Sequence, residues 1–382
     1  MKADIAVLGR GLWGTAAAMY LARSGARIAL VGPGEGRAQG PRASHHDAGR
    51  ITRSIATNVV WARAAARSIA RYPMLEAESG VAFYTACGGM MASEDAGYIH
   101  AIRDTAAAVG IAYDQVSGPD LASAASMFQF SDGTKAILDS TGGVIDPRAM
   151  RRAHEVLAIR AGADIVDDVV TDLAGGEVTL VSGATLSAGQ ILVATGAYAA
   201  LSPWMPERPK MRVAARTVYF AEVDATEAAR LAAMPSLIWR PDGLDHYLYL
   251  LPPIRYPDGR LLVKIGGEDD GPVVQTEGEA LDWFTGHGNS EVAETLKSAL
   301  TGLMPGLAIK AEHSAPCILA LTDIDRPCIE RRSDRLTIAT ACNGAGAKGA
   351  DELGRLAAQI TLGHGDAATE LGDDLRTFVA AE

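Results

Sequence analysis

Side chains that could do chemistry lie far apart along this chain. Cys317 stands in an apolar run, where a cysteine is most often a small buried side chain, although a thiol there could also bond to a cofactor. Lys264 stands between apolar neighbours in the range 261–266, where an alternating strand could simply turn it outward. The meaning of both residues depends on the elements that carry them.

A second group of candidates occupies the range Ser44–Arg53. Two histidines precede Asp47 there, which suggests a metal site. Adjacent histidines in one loop rarely ligate the same ion, however, and the four cysteines lack the CxxC spacing of zinc sites, so we predict no metal. We expect this range to be a loop that runs into a helix. Arg50 and Arg53 would then share a helix face, where they could also form a solvated basic surface.

The N-terminal segment predicts a β-α-β unit. An apolar strand ends at Leu8, a helix runs from Thr15 to Arg23, and a second apolar strand ends at Val31. The first turn, Gly9-Arg10-Gly11-Leu12-Trp13-Gly14, carries the GxGxxG pattern. Its glycines allow a tight turn, a close approach to a pyrophosphate and close packing of helix on strand, and the helix N-terminus offers unpaired N–H groups. A merely tight turn is the alternative, but this position favours dinucleotide binding.

One element of that unit is missing. An acidic residue normally ends the second strand and holds the ribose hydroxyls, but this chain has Gly32 there. Glu35 in the following loop is the nearest substitute. The gap weakens the case for NAD and leaves the adenosine ribose without an assigned partner.

The middle of the chain predicts an antiparallel sheet and, between its strands, helices and further short strands. Strands recur between Val81 and Ser93 and again from Arg212 to Ile265, which predicts a largely antiparallel sheet. Between them, Asp95 and Asp146 are placed to cap helices that run to about Val109 and Ala161, and short strands follow in 164–173 and 177–182.

The C-terminal part again predicts a strand, a glycine-rich turn and a helix, as the N-terminal segment does. A strand over Leu336–Thr340 leads into a glycine-rich turn, Cys342–Gly349, and then into a helix over Asp351–Ile360. That turn is a second place where backbone N–H groups could contact a cofactor. Two interleaved domains therefore fit the pattern better than two consecutive ones.

Composition excludes several functions. The chain has 382 residues and a net charge of −11, so it repels nucleic-acid phosphates, and we expect no nucleic-acid partner. It shows no signal-peptide pattern at its start and no apolar run long enough to cross a membrane. Four cysteines in such a length do not make a disulfide framework. We therefore expect a cytoplasmic protein without a membrane partner.

Taken together, these segments resemble the monomeric sarcosine oxidase group of the D-amino-acid-oxidase-like flavoproteins, which includes N-methyltryptophan oxidase and pipecolate oxidase. The resemblance covers nearly the whole chain. It rests on ordered motifs, which are Gly9–Gly14, Ser44–Arg53, Val193–Gly196, the strand of Lys264, and Cys317 followed by the turn Gly344–Lys348.

The resemblance implies an α/β (α+β) fold in which a Rossmann-type FAD-binding domain is interleaved with a substrate domain built on a largely antiparallel sheet. We place the FAD-binding domain at 1–80, 145–212 and 317–382, and the substrate domain at 81–144 and 213–316. By the same resemblance, the residues expected to bind the cofactor are Gly9, Gly11, Leu12, Trp13, Gly14, Ser44, His45, Arg50, Val170, Cys317, Gly344, Gly346 and Lys348.

The cysteine matching Cys317 forms a thioether to the flavin in that family, so covalent FAD is expected. The match is supported by Thr322 and by the pair Ile329-Glu330. Ile318-Leu319 replaces a Met-Tyr-like pair, and Cys328 takes a place that is usually aliphatic.

Roles for the catalytic candidates also come from the resemblance. Arg53 and Lys348 would bind the substrate carboxylate, which two fixed cations can orient. Lys264 would lie over the flavin and promote the reaction with oxygen by stabilising negative charge. Tyr249 roughly matches a tyrosine of the substrate pocket. Gly267-Glu268 stands where some members have a histidine, so the pocket should differ from theirs.

The implied function is an FAD-dependent oxidase of a secondary amino acid, either N-methyl or cyclic, that uses molecular oxygen and releases hydrogen peroxide. We expect a monomer. A dehydrogenase of the same fold that reduces a quinone or a protein is the first alternative. An NAD(P)-dependent reductase and a non-catalytic flavin-binding subunit are weaker alternatives, the former because only one nucleotide-binding β-α-β unit is evident in the sequence.

Overall fold

The computed structural model describes residues 1–34, 43, 46–244, 246–267 and 271–381. In this part of the chain the strands are β1 (Lys2–Leu8), β2 (Ile28–Val31), β3 (Arg50–Thr52), β4 (Tyr84–Thr85), β5 (Gly89–Ser93), β6 (Asp114–Ser117), β7 (Lys135–Asp139), β8 (Gly143–Ile145), β9 (Asp164–Val166), β10 (Val170–Ala174), β11 (Glu177–Leu180), β12 (Thr185–Val193), β13 (Arg212–Val223), β14 (Ser236–Arg240), β15 (Leu248–Arg255), β16 (Leu261–Gly267), β17 (Ala311–Leu321), β18 (Cys328–Arg331) and β19 (Leu336–Thr340).

The helices of the same residues are α1 (Leu12–Arg23), α2 (Val59–Ser79), α3 (Ala96–Val109), α4 (Gly118–Ala124), α5 (Pro147–Arg160), α6 (Tyr198–Leu201), α7 (Ala225–Arg230), α8 (Glu277–Thr285), α9 (Ser290–Leu303) and α10 (Ala350–Thr361), followed by a 3-10 helix at Gly365–Thr369. No helix among the described residues is long and apolar enough to cross a membrane.

The first sheet has a parallel core in the order β9-β2-β1-β12-β19. The long β12 pairs with β11 over its first half and with β19 over its second half, while β10 and β18 extend the sheet by antiparallel pairing. Helices α1, α5 and α10 bury the apolar strands, as a parallel sheet requires. A Cβ on Gly354 would lie 2.4 Å from the Cβ of Ala16, so glycine lets α10 approach α1 closely.

The second sheet is largely antiparallel, in the order β17-β13-β16-β15-β14-β5-β7-β6. Only the β14–β5 pair in this order is parallel. β13 and β17 pair along their whole length, from Arg212 opposite Leu321 to Glu222 opposite Ala311. The expected fold class, a Rossmann-type unit interleaved with a largely antiparallel sheet, is confirmed. The domain limits given above remain a prediction.

A third, small sheet has the order β3-β8-β4. Its strands occur along the chain where the chain passes from one large sheet to the other. It corrects one expectation, because Arg50 lies in strand β3 and not in a helix. Arg50 pairs with Ile145 and Thr52 with Gly143, and the next helix begins only at Val59. The β-branched side chains of Ile51 and Thr52 suit a paired strand, and tertiary pairing decides the conformation here.

The predicted helix caps are confirmed. The Asp95 side chain accepts hydrogen bonds from the backbone N–H groups of Gly97 and Tyr98, and Asp146 accepts from those of Arg148 and Ala149. Both carboxylates satisfy donors at the first turn of a helix.

Candidate active site

The first turn has the shape expected for a dinucleotide. Gly9 has a φ of +116°, and a Cβ on it would lie 2.4 Å from the carbonyl oxygen of Ala194. A Cβ on Gly14 would lie 1.7 Å from the carbonyl oxygen of Gly9. Helix α1 begins at Leu12, and its N-cap, Gly11, supplies no side-chain hydrogen bond. The N–H groups at this end of α1 are therefore suited to a pyrophosphate, and the residues fit FAD.

A second glycine-rich turn contacts the first. The indole N–H of Trp13 donates to the carbonyl oxygen of Gly346 at 3.0 Å, and a Cβ on Gly346 would lie 3.0 Å from Cζ2 of Trp13. Asn343, with a φ of +44°, holds this turn to the end of β17, because its side chain accepts from the N–H of Thr322 at 2.7 Å. Gly344 follows with a φ of +69°. Residues far apart in sequence thus form one continuous surface.

Lys348 and Arg53 are brought together beside this surface. Lys348 is 5% exposed, and its backbone carbonyl accepts from the Tyr72 hydroxyl at 2.8 Å. Burial and the neighbouring Arg53 guanidinium hold the pKa of Lys348 well below its usual value. The carboxylate of Asp139 acts on both groups electrostatically and opposes this shift only in part. A bound anion between Arg53 and Lys348 would offset their repulsion and favour the protonated form of Lys348.

The chain positions Arg53 through its neighbours. The guanidinium donates to the carbonyl oxygen of Ile55. The next residue, Ser54, is fixed by the buried carboxylate of Asp139, which accepts from its N–H at 2.6 Å and from its hydroxyl at 2.7 Å. β3 ends at Thr52, so the backbone of Arg53 is held by the paired strand before it and by Ser54 after it.

Lys264 forms a second buried cluster. Its side chain is 1% exposed, and its ammonium contacts the Asp47 carboxylate and donates to the carbonyl oxygen of Gly49 at 3.2 Å. Asp47 also contacts Arg50 and accepts from the Tyr256 hydroxyl at 2.8 Å. The lysine therefore points inward, and the alternative of an outward-facing lysine is wrong.

Charges within this cluster oppose one another. Burial and Arg50 lower the pKa of Lys264, whereas Asp47 raises it. Burial alone would raise the pKa of Asp47, but Lys264 and Arg50 hold it below its usual value. Asp47 is thus the carboxylate that compensates two buried cations.

Tyr249 and Cys317 lie at the same cluster. The Lys264 ammonium is 5.4 Å from the centre of the Tyr249 ring, and that ring packs over Gly266. Cys317 is half-buried on β17, opposite Arg216 of β13. The Cys317 thiol is close enough to contribute to the pKa shifts of Tyr249 and Lys264. Sequence positions 249, 264 and 317 therefore meet in space.

A cavity of about 350 Å³ is lined by Arg53 and Lys348, together with Asn343 and Ala345 of the second glycine-rich turn. Its wall includes apolar side chains and the phenol rings of Tyr98 and Tyr247. The charged residues of its lining are Arg53, Arg212, Arg216, Asp325 and Lys348. Cations thus outnumber carboxylates among the lining residues that the structure describes.

Other predicted residues lie elsewhere or cannot be placed. Ser44 and His45 lie outside the described residues, as does Glu35. Val170 is half-buried on β10, the edge strand of the first sheet, where it pairs with Leu180. Leu12 is buried in the core beside Trp13.

Sequence reasoning missed Asp47, Tyr256 and Tyr247. Asp47 follows two histidines, and no local pattern there indicates its contact with Lys264. The tyrosines carried no local pattern that sets them apart from other strand residues. Arg216 stands among apolar residues of a predicted strand, and the structure shows that it is buried. Because arginine is rarely buried, this position in the sequence indicates a functional role.

Comparisons with known proteins identify the family of this chain. Residues 4–360 match the DAO family, described as FAD dependent oxidoreductase. The peroxisomal sarcosine oxidase of Mus musculus is 22% identical over 371 residues, which cover 94% of this chain and 92% of the relative.

Solved structures show the same fold. An open form of NikD, an unusual amino acid oxidase essential for nikkomycin biosynthesis, has a TM-score of 0.76 at 17% identity and covers 100% of this chain and 98% of its own. L-proline dehydrogenase from P. horikoshii has a TM-score of 0.75 at 18% identity, with coverage of 95% and 94%. The fructosyl amine oxidoreductase Amadoriase I from Aspergillus fumigatus has a TM-score of 0.73 at 17% identity, with coverage of 95% and 87%.

Proposed function

We propose that this chain, which belongs to the DAO family of FAD-dependent oxidoreductases, oxidises a secondary amino acid, either N-methyl or cyclic, to an imine. The carbon–nitrogen unit loses two electrons and two protons, oxygen takes them up as hydrogen peroxide, and water hydrolyses the imine. FAD, when bound, supplies the acceptor for the hydride that leaves the substrate carbon. The observation that carries the proposal is the meeting of Arg53 and Lys348 at a cavity whose lining also includes Arg216, the residue opposite Cys317.

Arg53 and Lys348 bind the substrate carboxylate in this proposal. A guanidinium can hold a carboxylate through two parallel hydrogen bonds, and the ammonium adds a point charge. Because Arg53 is fixed by the backbone on both sides, the bound carboxylate would orient the amine-bearing carbon. Orientation of this kind is the main protein contribution to a hydride transfer.

Lys264 acts in the oxygen reaction. A buried cation stabilises the negative charge that develops on oxygen when the first electron arrives. Burial strengthens this effect, since little water screens the ammonium. Tyr249 lies against Lys264, with its ring centre 5.4 Å from the ammonium, and would help to keep that cation in place.

Cys317 is the proposed covalent anchor of FAD. Support comes from its half-buried thiol, which lies on β17 next to the cluster of Tyr249 and Lys264. The glycine-rich turns at Gly9–Gly14 and Gly344–Lys348 would hold the rest of the cofactor, together with Arg50 and the backbone near Val170. That the protein is a monomer and works in the cytoplasm stays a prediction.

A dehydrogenase that reduces a quinone or a protein is the second candidate, and one observation favours it. The ammonium of Lys264 already contacts the Asp47 carboxylate, so part of its charge is compensated before oxygen arrives. Compensation of this kind reduces the electrostatic gain that oxygen reduction needs.

The test is to mix the purified protein without oxygen with a panel of N-methyl and cyclic amino acids, and to follow bleaching of the oxidised flavin. Oxygen is then admitted, and the peroxide formed per flavin cycle is measured. We expect bleaching by at least one secondary amino acid and one peroxide per cycle. Bleaching with little peroxide, together with fast reduction of a quinone or dye, would select the dehydrogenase. A protein without flavin would refute both.

Arg53→Ala provides the matched test of substrate binding. We expect kcat/KM to fall about 10- to 100-fold, as for the loss of a hydrogen bond to a charged group. Arg103→Ala is the control, because Arg103 is exposed on α3 away from the cavity. Equal kinetics in the two variants would remove Arg53 from the site.

A further inference from the structure

The end of strand β2 differs from the usual dinucleotide-binding unit. An acid at this place normally holds the ribose hydroxyls, but here the residue is Gly32. A Cβ on Gly32 would lie 2.5 Å from the Cβ of Arg10 and 2.7 Å from its backbone N. Arg10 therefore occupies the space that an acidic side chain would need, and no larger residue fits at position 32 without a shift of the turn.

The Arg10 side chain is hydrogen-bonded to helix α5. Its Nε and Nη2 donate to the Glu155 carboxylate of α5 at 2.5 Å and 2.8 Å. Glu155 also accepts from Nη1 of Arg151 at 2.7 Å. These contacts engage Glu155 with two cations, which makes it a poor partner for a neutral hydroxyl.

A different carboxylate, that of Asp167, lies next to Gly32. Strand β9 runs parallel to β2, with Val166 opposite Val31, and the N–H of Gly32 donates to the carbonyl oxygen of Val166 at 3.1 Å. Asp167 is the next residue. One of its carboxylate oxygens accepts from the N–H of Gly34 at 2.9 Å, and the other lies 3.9 Å from Nη1 of Arg10.

Asp167 has the properties that recognition of a ribose requires. Its side chain is 53% exposed, so it is open to a ligand at the carboxyl end of the parallel sheet. A carboxylate offers about four acceptor positions, and two on one carboxylate can serve the neighbouring hydroxyls of a ribose. The bond to Gly34 also holds the carboxylate above the end of β2.

We propose that Asp167 binds the ribose hydroxyls of the adenosine half of FAD, so that the acid missing from β2 is supplied by the neighbouring strand. This inference rests on the proposed function only in that the chain binds FAD. Position 32 is then glycine because Arg10 fills the space that a side chain there would need. Arg10 also helps to orient Asp167.

The experiment measures binding of FAD to the apoprotein by quenching of flavin fluorescence. A Cys317→Ser background keeps binding reversible if the flavin is otherwise covalent. Each protein is titrated with FAD and with an FAD analogue whose adenosine ribose lacks the 2′-hydroxyl. We expect Asp167→Ala to bind FAD about 10- to 100-fold more weakly than the parent. The parent should discriminate between the two ligands, and Asp167→Ala should not.

Two further variants separate this role from folding. Asp164→Ala, at the other end of β9, should bind both ligands like the parent. Asp167→Asn, which keeps one amide oxygen, should fall between the parent and Asp167→Ala. Unchanged FAD affinity in Asp167→Ala, or equal discrimination in all proteins, would overturn the inference and leave the proposed function standing. A parent that binds no FAD would overturn both.

Discussion

Replacement of Asp47 by asparagine tests how the buried ammonium of Lys264 keeps its proton. Burial and the Arg50 guanidinium both lower the pKa of Lys264, and Asp47 is the carboxylate that opposes them. The other groups that face the ammonium are Tyr249 and Cys317, while Tyr256 donates to Asp47. Asparagine keeps the size of the side chain and removes its charge.

The magnitude follows from Coulomb's law. Two unit charges about 4 Å apart interact by about 4 kcal/mol at the effective dielectric constant of about 20 that suits protein sites. At 1.36 kcal/mol for each tenfold step, that is roughly a thousandfold change in the protonation equilibrium of Lys264. The direction is towards the neutral amine. In Asp47→Asn the cationic lysine, and with it the oxygen reaction, should be lost at a lower pH than in the unmodified protein.

The assay is stopped-flow reoxidation of the reduced flavin by oxygen across a series of pH values. Asp47→Asn should react like the parent at low pH and fall away as the pH rises. Lys264→Met should be slow at every pH, and Tyr256→Phe, which removes one hydrogen bond and no charge, should shift the profile much less. A profile for Asp47→Asn that coincides with the parent's would refute the reasoning.

Three other changes have defined outcomes. Cys317→Ser should release all flavin into the supernatant on acid precipitation, whereas the parent retains it in the pellet; equal release would exclude the thioether. Arg53→Lys should recover only part of the kcat/KM lost in Arg53→Ala, because an ammonium cannot form the paired hydrogen bonds of a guanidinium, and full recovery in steady-state kinetics would contradict a two-point contact. Asp351→Asn should lower the free energy of unfolding in urea by about 3–5 kcal/mol, since it breaks a buried ion pair with Arg71 and disturbs the buried hydrogen bond with His154. Burial alone would raise the pKa of Asp351, but those partners hold it below its usual value, so this stability is present at neutral pH and is lost as the pH falls; a pH-independent difference between the two proteins would argue against it.

Local patterns were sufficient for the nucleotide-binding unit. GxGxxG between a strand and a helix predicts the turn at Gly9, and a side chain at Gly9 or Gly14 would clash with backbone atoms. The caps at Asp95 and Asp146 were equally predictable, because a helix start is decided within a few residues.

Tertiary pairing decided what the patterns could not. Arg50 and Arg53 have helical spacing, yet Arg50 lies in a strand because β3 pairs with β8. The contact of Asp47 with Lys264 joins positions 217 residues apart, and no local pattern encodes it. Position 32 shows the same limit, since the sequence reveals that the acid is missing but only the pairing of β2 with β9 shows that Asp167 lies beside the gap.

We propose that the cavity lined by Arg53 and Lys348 holds a secondary amino acid while bound FAD oxidises it. Anaerobic mixing of the yellow protein with N-methyl and cyclic amino acids, each paired with its decarboxylated amine, tests it most directly. We expect at least one amino acid to bleach the flavin, and its amine, which lacks the carboxylate, to do so at least 10-fold more slowly. Flavin that stays oxidised with every amino acid would exclude the proposed oxidation, and equal rates with the amines would exclude a carboxylate-binding role for Arg53 and Lys348.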